Sequence, residues 1–211
     1  MRSRWIDGPV GRLDSRWHGP EGGKGGKAAV LLHPHPRFGG TMGSRFVYET
    51  AQALAEAGWL AVRCDFRGVG RSDGGYGWGE GEAEDAAAVV AAVEQETGRV
   101  PAVVGHSFGG AAALRLAATR ELPAVVAVGV PHDVTESRLV PYEDAKASRA
   151  MEHHLIVGDQ DPYVTPEQAY TLATAFPRAA TVTVLGGIGH LLAPVELPRG
   201  VQAVLQALHV G

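Results

Sequence analysis

Short apolar runs and segments of helical period alternate along the chain. The runs recur at Ala28–Leu32, Leu60–Val62, Val100–Val104, Ala124–Val130, Leu155–Val157 and Thr181–Leu185. They are rich in valine and apolar on both faces, which predicts strands of a parallel sheet covered on both sides. Between them, four stripes recur at three- and four-residue spacing: Phe46, Val47, Ala51 and Leu54; Ala86, Val89, Val90 and Val93; Ala169, Leu172, Ala173 and Phe176; Val201, Val204, Leu205 and Leu208. Each stripe predicts an amphipathic helix, and Gly58 is placed to cap the first. The alternation predicts an α/β fold with a doubly wound, mostly parallel sheet. In such sheets the reactive groups gather at the carboxyl ends of the strands.

The first 18 residues depart from this pattern. Arg4–Ile6 and Arg12–Trp17, joined by Asp7-Gly8-Pro9, predict an antiparallel hairpin at the sheet edge, and Gly19 to Lys27 a flexible turn into the core. With no repeat and no second composition, residues 1–211 are expected to form a single domain.

Composition narrows the function. A net charge of −4 and an apolar fraction of 45% point to neither nucleic acid nor disorder. The single cysteine, Cys64, excludes an intrachain disulfide and a cysteine-rich zinc site; it is expected at the end of a buried strand in a structural role. Met1-Arg2-Ser3-Arg4-Trp5 lacks the apolar core of a secretory signal, and no run reaches the ~18 apolar residues of a membrane span. The expectation is a cytoplasmic enzyme with no membrane partner.

The chemistry concentrates in Gly105-His106-Ser107-Phe108-Gly109, between an apolar run and the alanine-rich helical segment Ala111 to Ala118. A serine between two glycines at a strand-to-helix corner is a nucleophile elbow. Only small residues fit two positions either side of it, and the strained corner holds the hydroxyl clear of the sheet. A serine hydroxyl needs a base, and the base an orienting carboxylate. Both should follow strands. The acid is expected at Asp161, in Gly158-Asp159-Gln160-Asp161-Pro162, with Asp159 and Asp133 as rivals. The base is expected at His190, in the glycine-rich loop Gly186 to His190 after the last strand. His106 adjoins the serine but cannot turn back onto its oxygen, and His209 lies too near the C-terminus. The oxyanion hole should draw one N–H from Phe108 and one from the loop His33-Pro34-His35-Pro36-Arg37-Phe38-Gly39-Gly40. Pro34 and Pro36 have no N–H to give, which leaves His35 first and Arg37 second. Arg37, Phe38 and Tyr163 are candidate substrate contacts, with Arg37 able to hold a carboxylate. The loop Gly74 to Gly81, with Tyr76 and Trp78, is either a mobile surface loop or one wall of the pocket.

Leu32-His33-Pro34-His35-Pro36, Gly39-Gly40-Thr41-Met42, Asp65-Phe66-Arg67-Gly68-Val69-Gly70-Arg71-Ser72, the elbow, Gly158-Asp159-Gln160-Asp161 and Gly189-His190 together resemble the α/β-hydrolase superfamily over nearly the full length. Within it the chain is similar to small bacterial hydrolases related to dienelactone hydrolase, which itself uses cysteine where this chain has Ser107. The resemblance implies an eight-stranded sheet with the second strand antiparallel, and a Ser-Asp-His triad.

Other motifs carry less. Gly22-Gly23-Lys24-Gly25-Gly26-Lys27 lacks a phosphate loop's first glycine, and Ala28 stands where Ser or Thr would bind magnesium. Gly68-Val69-Gly70 has Asp73 in place of the third glycine of a dinucleotide fingerprint. His33, His35 and His153-His154 lack the carboxylate spacing of a metal site. The expectation is therefore a cofactor-free and metal-free carboxylesterase. Perhydrolysis, acyl transfer to another alcohol, or amide and peptide hydrolysis are alternatives on the same triad; a non-catalytic binding protein is the alternative of a different class. Only 23 residues, 131–153, replace the cap of larger relatives, which predicts an open site for small or short-acyl esters. The last helix and the edge hairpin are candidate surfaces for a homodimer.

Overall fold

The computed structural model describes residues 1–23 and 26–210. Lys24 and Gly25, within the expected turn from Gly19 to Lys27 and within the rejected phosphate-loop motif, lie outside the described residues. Eight strands form one sheet: β1 (Arg2–Gly8), β2 (Gly11–His18), β3 (Ala28–Leu32), β4 (Leu60–Cys64), β5 (Ala102–His106), β6 (Ala124–Val128), β7 (Glu152–Gly158) and β8 (Ala180–Leu185). Their order across the sheet is β1-β2-β4-β3-β5-β6-β7-β8. β1 pairs antiparallel with β2, and β2 antiparallel with β4; every later pairing is parallel. The sheet is thus mostly parallel, with the N-terminal hairpin on one edge.

The helices are α1 (Arg45–Glu56), α2 (Glu80–Thr97), α3 (Phe108–Thr119), α4 (Pro141–Lys146), α5 (Pro166–Ala173) and α6 (Leu197–Ala207). Successive residues of a strand face opposite sides, so one strand feeds two cores. Val30 and Leu32 of β3 pack with Val89, Val90 and Val93 of α2 and the alanines of α3. Ala29 and Leu31 pack with Phe46, Val47 and Leu54 of α1 and Val201 and Val204 of α6. The four central strands β3 to β6 are buried along their whole length, as their continuous apolar runs require. Cys64, at the end of β4, is fully buried, and burial pushes its thiol far above the usual range, so it is packing and not a nucleophile.

Three local differences from the sequence reading have plain causes. The run expected to continue to Val130 stops at Val128, because Gly129 turns with φ +59°. β8 is the sheet's edge and only half-covered, despite its apolar run, because only β7 pairs with it. Phe176 is buried beyond the end of α5 and is not part of its stripe. Between β6 and β7 the chain carries α4 and loops, with no cap domain. Among the described residues, no helix is long and apolar enough to cross a membrane.

Candidate active site

Ser107 stands between β5 and α3 with φ +55° and ψ −119°. A non-glycine residue pays for that conformation, and such strain persists only where its surroundings fix it. Here its amide donates to Val128 O on β6 (2.7 Å), and its carbonyl accepts from Gly110 and Ala111 (2.9 and 3.1 Å). The flanking glycines are steric requirements. A Cβ on Gly105 would lie 2.2 Å from the Gly109 carbonyl oxygen, and one on Gly109 would lie 2.4 Å from that of Leu32. Gly105→Ala is therefore expected to destabilise the fold by about 3 kcal/mol through overpacking against backbone. A urea midpoint unchanged from wild type would contradict it.

Ser107 Oγ lies 2.8 Å from His190 Nε2, and His190 Nδ1 lies 2.7 Å from Asp161 Oδ2. The three groups come from the ends of β5, β7 and β8, 83 and 29 residues apart in pairs. The second oxygen of Asp161, Oδ1, accepts the amides of Tyr163 (2.8 Å) and Val164 (3.2 Å). The carboxylate is thereby locked with Oδ2 facing the imidazole. The rivals are elsewhere. Asp159 Oδ1 accepts the Gly187 amide at 2.5 Å, which ties the loop bearing His190 to the end of β7. Asp133, which is not the carboxylate bonded to His190, sits in a cavity wall.

Two supports of His190 were not read from the sequence. His106 Nε2 lies 2.8 Å from the His190 carbonyl oxygen, so the ring that cannot reach the serine steadies the imidazole's backbone instead. Gly129 leaves room for the histidine–carboxylate contact: a Cβ there would lie 3.3 Å from both Asp161 Oδ2 and His190 Nδ1. The only signal in the sequence was a glycine closing an apolar strand.

The loop after β3 is a tight turn. The His35 carbonyl accepts the amides of Phe38 (3.1 Å) and Gly40 (3.0 Å). A Cβ on Gly40 would meet the Pro34 oxygen at 2.0 Å. His35 Nδ1 accepts the Arg37 amide (3.2 Å), and its Nε2 lies 3.0 Å from the Thr135 oxygen. These partners select the neutral tautomer with its proton on Nε2, and burial holds the ring's pKa below the ordinary histidine value. The Arg37 amide is therefore already engaged within the turn. The rings of His35 and Phe108 pack together at 4.6 Å between centroids. His33 wedges the turn from below, with Nδ1 2.6 Å from the Pro34 oxygen and Nε2 accepting the Phe66 amide (3.2 Å).

A cavity of about 560 Å³ opens over Ser107 and His190, walled by His35, Phe38, Phe108, Val134, Tyr163 and Leu191 among others. Phe38 and Tyr163 line it as expected, and Tyr163 also meets the His190 ring edge-on at 4.7 Å. Arg37 does not line it; its guanidinium is 2.9 Å from Glu136. The Gly74 to Gly81 segment is not a pocket wall and is not loose. Glu82 accepts the amides of Gly77 and Gly79 (2.8 and 2.7 Å), and the Tyr76 hydroxyl donates to the Glu136 oxygen behind His35.

The family profile described as alpha/beta hydrolase fold matches residues 30–146, more than half of the chain. The chain belongs to the α/β-hydrolase fold family. This α/β hydrolase superposes on a lidless a/b serine hydrolase of Xanthomonas campestris with a TM-score of 0.81, at 26% identity over 99% of this chain and 93% of that one. An alpha-beta serine hydrolase homologue from Coxiella burnetii gives a TM-score of 0.85 at 29% identity, over 98% and 97% of the two chains. An uncharacterised Rickettsia prowazekii protein is 32% identical over 134 residues, 62% of this chain and 56% of that one. The α/β hydrolase therefore spans little more than half the length of that relative.

Proposed function

We propose that this chain is a serine carboxylesterase acting on small or short-acyl esters through an acyl-enzyme. One observation carries the reading: the unbroken contact series from Asp161 through His190 to Ser107, with steps of 2.7 and 2.8 Å. In it, His190 takes the Ser107 proton as Oγ attacks the ester carbonyl. The Phe108 and His35 amides stabilise the oxyanion, and such preorganised donors are typically worth ~10²–10³ in rate each. His190 then protonates the leaving alcohol and activates the water that releases the acid. Asp161 holds the imidazole with its proton on Nδ1 and stabilises the charged form.

The serine-hydrolase chemistry is supported by the likeness to a lidless serine hydrolase, and the size preference by the cavity. A volume of about 560 Å³, mostly apolar and open to solvent, suits a small ester and has no covered channel for long chains. A fluorophosphonate should attach to Ser107, read as a mass increase on the peptide that contains it. Short p-nitrophenyl esters should be cleaved faster than long ones. Labelling elsewhere, or no labelling, would remove the nucleophile; a strong preference for long-chain esters would remove the size assignment.

A further inference from the structure

Asp133 is the residue the proposed chemistry leaves without a task. It follows β6, where an acid could have served His190, yet Asp161 fills that role. Asp133 is instead an exposed residue of the cavity wall. The wall is otherwise proline, apolar and aromatic groups, hydroxyls and the rings of His35 and His190. Among the residues lining it, Asp133 is the only carboxylic acid, and no lysine or arginine joins it. Asp133 takes part in no ion pair among the described residues, and Arg37 is paired with Glu136. Nor is it on a free strand of chain. The next residue, Val134, is buried in the core; the Thr135 oxygen receives the His35 ring; and the Glu136 oxygen receives the Tyr76 hydroxyl.

We propose that Asp133 makes this cavity charge-selective, so that esters bearing a cationic substituent are favoured over those bearing a carboxylate or another anion. The inference rests on the serine-esterase reading and names the substrate class for that site. The physical basis is Coulombic. Two unit charges about 6 Å apart interact, even at the dielectric constant of water, strongly enough to change an equilibrium about threefold in either direction. A cation-to-anion ratio of about tenfold follows, more where apolar walls exclude water.

The test uses three esters of one acyl group and one alcohol skeleton, ending in a trimethylammonium, a tert-butyl or a carboxylate group. Each kcat/KM is divided by that of the tert-butyl ester on the same enzyme, so a general loss of activity cancels. Wild type should favour the cationic ester over the anionic one by about tenfold, and the ratio should shrink as sodium chloride is raised. Asp133→Asn should bring it close to one, and Asp133→Glu should keep it. An equal ratio in wild type and Asp133→Asn, with all three esters turned over, would overturn charge selection alone. Failure of every ester to turn over would overturn the esterase reading and this inference with it.

Discussion

Ser107→Ala is expected to lower kcat for ester hydrolysis by about 10⁶, the loss seen when a triad acting as a unit loses its nucleophile. The His190 ring and the Asp161 carboxylate would stay in place, but no acyl-enzyme could form. What survives should be the contribution of binding and of the proposed oxyanion donors, the backbone amides at Phe108 and His35, which no side-chain change removes. Asp161→Asn should cost less, about 10⁴, because it spoils the imidazole tautomer and leaves the hydroxyl in place. Initial rates on a short p-nitrophenyl ester check both values, with a fluorophosphonate titration to count competent sites. A Ser107→Ala enzyme that kept most of its rate would end the proposed mechanism. The same substitution should leave the fold intact, since alanine meets the same φ of +55° that serine already tolerates.

Acid should unfold the protein well before its carboxylates finish titrating. Burial lowers the pKa of His33, His106 and His153 to about 4 in the folded chain, against roughly 6.5 when unfolded. Between those values the unfolded chain binds more protons, so the free energy of unfolding falls as pH falls from about 6.5 and levels off below about 4. His33 and His106, the two fully buried rings, can each cost roughly 3 kcal/mol across that window, and His153 less. That is a large share of an ordinary domain's stability, about 5–15 kcal/mol. Asp65, Glu82 and Asp144 act in the other sense. Burial raises their pKa values, so the folded chain takes up their protons first and recovers part of the loss. Urea midpoints measured from pH 7 to pH 4.5 should fall steeply, and His106→Gln, which has no proton to gain, should flatten the slope. A midpoint independent of pH across that range would contradict the buried neutral rings.

What could be read before folding, and what could not, divides along a physical line. The alternation of apolar runs carries the sheet, because strands buried on both faces have nowhere to put polar groups. The strand ends bearing Ser107, Asp161 and His190 were legible because each lies in a short loop directly after such a run. The engagement of the Arg37 amide was not, because it depends on a side chain folding back onto its own turn: His35 Nδ1 captures that amide. Arg37 itself reads as a cation free for substrate until Glu136, 99 positions later in the sequence, comes alongside it. The loop around Tyr76 looked mobile by its glycines, yet it is pinned by the carboxylate of Glu82 and by a hydroxyl reaching residue 136. Loops that meet only after folding leave no periodic trace along the chain. The same holds for Gly129, whose missing side chain is visible only once Asp161 and His190 face it.

His190 hangs from β8, one of the two edge strands, each with a neighbour on one side only. Ser107, by contrast, follows β5, which is paired on both sides and fully buried. The imidazole therefore depends on a margin of the sheet, where fraying is cheap, and the hydroxyl on its buried centre. Opening the outermost ladder would disarm the proposed reaction while most of the molecule stayed folded. Working lifetime on heating is then expected to follow the local free energy of that margin more than the cooperative melting of the whole.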